Sequence, residues 1–426
     1  MLRKIYLPLL MAAAIIFSAS ALSAAPISVS AKDYGAKGDG ITDDTAAIQK
    51  ALDAVTKTQG IVYLPAGSYK ISNSLFVPER VTLMGEGERW ENAMTKLIIL
   101  EPGFPAVRLS HCSGVKALKI SYPNNRDNQN PKPYPPAIQL EGINPCVESI
   151  VFDCAWIGVS TKPGGCNSGQ GMFRDLTGFV HHVGIHLSGC RDVNRIQDVH
   201  WFVGGNGDIS TSYFDKNRVG FEFGDVDGIM MDRCFMIRGK AFLHQLHDKD
   251  TPDNKPAVAH SLAYHIDECW MEDVKYGFIF EGLTGFVLTN TDILVKNGGT
   301  GVIVEPDGLF YNGVISAVQV RSYGGPIVDI EYGSKKPHAW TRLSIADCQL
   351  LGGAPAIHLK EGACRANIHD CHLRAESDQP TIIIDPGVDY INISNNIIYT
   401  RTEAIQDQSG KEAHKQISGN MVEDKK

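Results

Sequence analysis

The string DYGAKGDGITDDTAAIQKALDA, from Asp33 to Ala54, is followed by GIVYLPAGSYKIS, from Gly60 to Ser72. Gly35, Gly38 and Gly40 make the lead-in turn-rich. Thr42, Asp43 or Asp44 is placed to cap a helix whose apolar stripe is Ile48, Ala51, Leu52 and Val55. Gly60 stops that helix, Ile61 to Leu64 start a strand, and Pro65 and Gly67 end it. A lone short helix ahead of a long strand-rich chain suits a solenoid. Its first rung would otherwise leave apolar side chains and unpaired edge groups in water.

These residues resemble the opening of the pectate-lyase-like superfamily, whose members are single-stranded right-handed parallel β-helices. The superfamily includes rhamnogalacturonases, polygalacturonase relatives, epimerases and phage tailspikes. The resemblance implies an all-β solenoid with a short N-terminal capping helix. It says little about reaction type, because members with this opening hydrolyse, eliminate, epimerise or only bind glycans. Asp39, Asp43 and Asp44 read as turn and capping residues rather than catalytic ones.

Downstream, an Asp/Asn column recurs. It runs Asp153, Asp175, Asp198, Asp232, Asp267, Asn290, Ala317, Asp347, Asp370, Asn395 and Gly419, with steps of 22 to 35 residues. Between these positions lie short β-branched runs and little helical periodicity. Asp and Asn tolerate a left-handed turn, so the column reads as a structural ladder with hydrogen bonds from rung to rung. Cys154, Cys234, Cys269, Cys348 and Cys371 recur beside it as small buried residues. No cysteine pair has zinc-ligand spacing, and Cys364 with Cys371 is the one close pair suited to a disulfide, left open.

Residues 1–24 read as a secretory signal peptide: Arg3 and Lys4, an apolar run from Ile5 to Phe17, then small residues to Ala25. Residues 25–426 read as one β-helix domain, secreted or periplasmic, with no membrane span after the signal. The net charge of −8 becomes about −10 once Arg3 and Lys4 are removed, which argues against nucleic acid. Three insertions, at Tyr122–Pro136, Val203–Arg218 and Leu246–His260, are expected to wall a binding face.

Asn290-Thr291-Asp292 resembles the triplet that holds a catalytic acid in the polygalacturonase branch. The paired aspartates expected further on are replaced by Gly299 and Thr300, and the Gly-His-Gly and Arg-Ile-Lys motifs of that branch are missing. Counting forward from every rung gathers His181, His182 and His186, then Arg238, Lys240 and His244, then Glu272 to Glu281, then Arg321 and Tyr323. Arg238, Lys240, Lys275 and Arg321 suit neutralisation of a uronate carboxylate. Lys275 or a histidine suits the base, and Tyr276 or Tyr323 the acid, of a β-elimination.

The expected catalytic set is Lys275, Tyr276, Arg238 and Asp273. The expected substrate contacts are Lys240, His244, His182, Arg321, Tyr323 and Trp201. Against this stand plainer roles: the histidines as surface or ladder residues, Arg238 and Lys240 paired with Asp225 or Asp227, and Trp90, Trp156, Trp201, Trp270 and Trp340 as core or turn aromatics, Trp201 being the sugar-stacking candidate only for lying beside an insertion. Glu272, Asp273 and Glu281 are the carboxylates a hydrolase would draw on. Some lyases of this superfamily use calcium to bridge carboxylates. No oxygen-rich loop with ligand spacing stands out here, so calcium stays open. The reading is an enzyme that cleaves a pectin-like or other uronate-containing polysaccharide by elimination, the alternatives being a hydrolase and a non-catalytic glycan-binding protein.

Overall fold

The computed structural model describes residues 28–87, 94–101, 103–164, 167–246, 263–306, 310–335, 341–375 and 377–424. The expected signal peptide, Trp90, Trp340 and nearly all of the Leu246–His260 insertion lie outside the described residues.

Helix α1 spans Thr45–Ala54 and buries Ile48, Ala51 and Leu52, with Val55 just beyond it also buried. Asp44 holds the N-cap position, but its carboxylate turns back to accept from the amides of Lys37 (2.6 Å) and Gly38 (2.9 Å). It therefore stitches the glycine-rich lead-in to the helix start. The Gln49 amide both donates to and accepts from the Phe76 backbone, at 3.1 and 2.9 Å, so α1 occupies edge groups of the strand Leu75–Val77.

The rest is a parallel stack of short strands, mostly joined to partners two or three strands further along the chain. One stack runs through Val226–Asp232, Ala263–Asp267, Gly285–Thr289, Asn312–Ser316 and Leu343–Ala346 to Lys415–Ser418. Its inward column stacks Ile315, Ile345, Ile368 and Ile393, each fully buried. Burial of each contributes about 1.5–3 kcal/mol. Two residues join each of these strands to the one that follows it in the chain, the first of them in left-handed backbone.

The ladder column sits in that turn, with three register corrections. The residues with positive φ are Ser149, Asp175, Asp198, Arg233, Glu268, Asn290, Ala317, Asp347, Asp370, Asn395 and Gly419. Ser149 thus replaces Asp153, Arg233 replaces Asp232, and Glu268 replaces Asp267. The rung-to-rung bond is chiefly a backbone one: the turn amide donates to the next rung's carbonyl, as from Ala317 to Ala346 (3.2 Å) and from Asn395 to Ser418 (3.3 Å). Asp and Asn tolerate the left-handed φ there, and turn side chains also bridge adjacent rungs, as from Ser149 to Asp175 (2.7 Å) and from Arg233 to Asp198 (2.8 Å).

The position after the turn holds Cys234, Cys269, Cys348, Cys371, Asn396 and Asn420. Cys154 lies outside this column. The Cys348 and Cys371 thiols donate to carbonyls of their own turn and the preceding rung. All described cysteines, Cys364 included, are free thiols. Asn396 donates to Ile368 O (3.1 Å) and accepts from the Cys371 amide (3.0 Å), fully buried. Asn396→Ala removes both bonds and is expected to destabilise the protein by about 2 kcal/mol, read as a lower urea midpoint at unchanged slope.

Among the described residues no helix is long and apolar enough to cross a membrane.

Candidate active site

Two insertions build one wall. Asn128 N donates to Asn206 O (3.0 Å), Asn206 N to Arg126 O (2.6 Å), and the Gln129 side chain to Asp208 O (2.9 Å). Asn125 anchors the first insertion, its side chain taking the Lys132 amide (2.8 Å) and giving to Cys154 O (3.2 Å). Arg126 reaches back to Asp153 (3.0 Å), so Asp153 fastens this insertion instead of joining the ladder. The second insertion closes with helix α2, Tyr213–Asn217, capped by the Ser212 hydroxyl. Phe214 of α2 packs edge-on against Phe179 (5.2 Å) in a small cluster apart from the main core. That contact sets Tyr213 and Asp215 over the strand face.

Tyr213 completes an aromatic wall. Trp156 and His182 sit on neighbouring rungs and stack at 4.7 Å and 19°, and Trp156 lies 5.2 Å from the Tyr213 ring. The Tyr213 hydroxyl is 3.2 Å from His182 Nδ1. Burial pushes the His182 imidazole below its ordinary pKa, helped by the charges of Lys240 and His186 and opposed by Glu222. Burial likewise raises the Tyr213 phenol. A neutral imidazole thus faces a protonated phenol at neutral pH.

Beside this wall runs a row on successive rungs, about 4.8 Å apart: His186, Glu222, His244 and Ile279. His186 Nδ1 meets Glu222 at 2.9 Å, and His244 Nε2 meets Glu281 at 3.1 Å. Burial works to raise the Glu222 carboxyl. The His186 hydrogen bond and the charges of His186, His244 and His182 outweigh it and hold the group below the usual carboxylate range.

The cations are more engaged than the sequence suggested. Arg238 and Asp273 both occupy left-handed backbone (φ 62° and 55°) at one position of adjacent rungs, and their side chains pair at 2.8 Å. Arg238 lies 4.0 Å from Asp215, whose carboxylate takes Lys296 at 2.9 Å. Asp225 and Asp227 pair with Arg191, not with Arg238 or Lys240. The Lys275 ammonium donates to Gly298 O and lies 6.0 Å from the Tyr276 ring. Tyr276 packs at the edge of a small apolar cluster of Val219, Ala241 and Ile279. Thr300 stands opposite Tyr276 and is itself buried.

Two expected contacts move. Trp201 is fully buried between Phe152 and Phe221, in register with Gly178 and Met236, so it is a core residue and offers no sugar platform. Arg321 pairs with Asp292 (2.5 Å) and stands opposite Leu294, outside the row that carries His244. Tyr323 stands opposite Lys296, with its side chain outside the described residues. The reading from sequence missed Trp156, Tyr213, Asp215, Glu222 and Lys296 as site residues. It also held His181 as a surface or ladder residue, whereas its side chain is buried against the first insertion. Among the described residues no group of three or more His, Cys, Asp and Glu side chains is placed to hold a metal ion.

Residues 28–96 match the model of the family described as rhamnogalacturonase A/epimerase, pectate lyase-like, over the stretch that carried the resemblance. Alginate lyase 7 of Azotobacter vinelandii is 37% identical over 114 residues, covering 23% of this chain and 13% of that protein. The mannuronan C5-epimerase AlgE5 of the same organism is 33% identical over 118 residues, 24% of this chain and 11% of that protein. The chain therefore matches a small fraction of these relatives' length. Among solved structures, the A-module of the Azotobacter vinelandii epimerase AlgE6 aligns with TM-score 0.62 at 16% identity, over 93% of this chain and all of that one. Gene product 12 of bacteriophage phi29 aligns with TM-score 0.67 at 14% identity, over 93% of this chain and 57% of that one. At these identities the likeness is one of fold: the chain is mostly β, and these neighbours are parallel β-helix proteins.

Proposed function

We propose that this chain is an exported enzyme that cleaves a uronate-containing polysaccharide by β-elimination on a right-handed parallel β-helix capped by α1. The observation that carries the reaction type is the His182–Tyr213 pair, an imidazole held neutral by burial and hydrogen-bonded to a phenol held protonated, with the Lys240 charge acting on it from two rungs away. A uronate has an acidic C–H next to its carboxylate. Cationic charge at that carboxylate lowers the cost of the carbanion.

With hydrogen on Nδ1 donated to the Tyr213 oxygen, His182 Nε2 carries a free lone pair and takes the proton from C5. The C4–O4 bond breaks, its electrons leave with O4, the C5 pair forms the C4=C5 double bond, and the Tyr213 hydroxyl protonates O4. Transfer of the Nδ1 proton to the phenolate, across the existing hydrogen bond, restores both groups to neutrality. Trp156 gives the sugar an apolar face to lie on. The two relatives named as an alginate lyase and a mannuronan C5-epimerase support this reading, since elimination and C5 epimerisation both begin by removing that proton. Export rests on the N-terminal segment, and calcium enters only as a condition of the assay.

A binding protein without turnover is the second reading. It is favoured by the engagement of Arg238 with Asp273, Lys296 with Asp215 and Lys275 with Gly298. A panel of acidic polysaccharides, assayed in parallel for ultraviolet absorbance and reducing ends with and without calcium, separates these. Elimination produces both signals together. Reducing ends without absorbance mean hydrolysis, and binding with neither signal means the second reading.

A further inference from the structure

We infer that Arg218 is a positioning residue of the proposed site, a side chain that locks helix α2 to the strand bend carrying Arg238 and Lys240. The inference rests on the site as read above. Arg218 follows α2 as its C-cap and is fully buried. Its guanidinium lies 5.1 Å from the Phe214 ring and 5.8 Å from the Phe179 ring. It donates to Phe202 O (2.7 Å), to Ile237 O, and to Arg238 O (2.5 Å). Its own amide donates to Phe214 O (2.9 Å), and its carbonyl accepts from the amides of Lys240 (2.9 Å) and Ala241 (3.2 Å).

One residue therefore grips residues 237–241 from both its side chain and its main chain. That segment needs a grip. Arg238 has φ 62° and Gly239 φ 150°, and a Cβ on Gly239 would stand 2.9 Å from the Arg218 carbonyl oxygen. Such a bend persists only where its surroundings over-determine it. The bend sends the Arg238 side chain to Asp273 and toward Asp215, and sets the Lys240 charge where it acts on His182. At the other end of the grip, α2 sets the Tyr213 hydroxyl on His182. A desolvated cation held by three carbonyls and two aromatic rings, with its Nε left without a hydrogen-bond partner, is costly to bury. As plain core filling, an apolar side chain would serve the two rings but lose the bonds to the carbonyls of 202, 237 and 238.

The test is hydrogen exchange by mass spectrometry on the ligand-free protein, comparing wild type with Arg218→Lys and Arg218→Gln. Lysine keeps the charge but has no fork to span three carbonyls. In whichever variants fold, exchange is expected to rise tenfold or more together in peptides covering 203–218 and 235–245, with the strands at 285–304 and 343–375 unchanged. Unchanged exchange at 235–245, an equal rise in every rung, or failure of both variants to fold would each assign Arg218 to packing alone and overturn the proposal. The measurement uses no glycan, so its outcome is separate from that of the polysaccharide panel. With a substrate in hand, Arg218→Lys is expected to lower kcat about tenfold while KM changes less than threefold.

Discussion

His182→Gln is expected to lower kcat on a uronate polysaccharide by about 10²–10⁴-fold while leaving the melting temperature nearly unchanged. The side chain is half-buried, and glutamine keeps a polar group within reach of the Tyr213 hydroxyl, so the wall with Trp156 survives. What glutamine lacks is a basic nitrogen. Tyr213→Phe removes the acid instead and is expected to cost a similar factor, the double variant losing little more than either single one because the two act as one relay. The pH profile adds a sign. Burial depresses the imidazole of His182, so the base form is kept to lower pH than an exposed histidine would allow, and the acidic limb of kcat/KM should fall below the usual histidine value. If steady-state rates of His182→Gln stay within threefold of wild type on a polysaccharide that the wild type demonstrably cleaves, this pair is not the acid and base. Attention then passes to Glu222 with its three histidines.

How far the sequence carried this site follows from what each part of it depends on. The ladder was legible because a left-handed turn selects a few residue types and the coil repeats it. It slipped at Asp153, Asp232 and Asp267 because at each an acid lies close to the true turn residue. Composition cannot tell the two apart, whereas backbone register can. His182, Lys240 and His244 were found by counting from that ladder, a local operation.

Tyr213, Asp215 and Lys296 were not, because they meet only when an insertion folds back across 81 residues of sequence to bond a strand. The Ser212-x-x-Asp215 cap was the one local sign of a helix there. Trp201 was misread for its nearness to that insertion. Its alternation with the inward residues of its strand, in register with Gly178 and Met236, was the better guide. Arg238 and Asp273 looked like free site charges because an ion pair between adjacent rungs leaves no trace in either strand's own pattern.

The second large effect lies in acid stability and comes from His181, next in sequence to His182 but doing something else. Its ring is fully buried against Phe179, with Nε2 2.7 Å from Asn125 O, so Nε2 carries the hydrogen and donates it. Burial drives its pKa down to about 4, the Arg218 charge acting the same way while the Asn125 hydrogen bond and Asp127 oppose. In the unfolded chain the same ring titrates near 6.5.

Between these values the unfolded state binds a proton that the folded state refuses. Stability is therefore whole above about pH 6.5 and falls as pH drops toward 4, by about 3 kcal/mol for a shift of this size. His182 and His200, also depressed by burial, add to the loss with the same sign. Carboxylates held below their ordinary values, Asp153 among them, lose their contribution only at lower pH. Urea denaturation at intervals from pH 7 to 4 should show this decline in wild type. His181→Gln, which can still donate to Asn125 O but takes no proton, should flatten it by about 2 kcal/mol or more. Parallel curves for the two proteins would mean that His181 is protonated in the fold at no cost, and that its anchoring of the first insertion does not depend on the neutral ring.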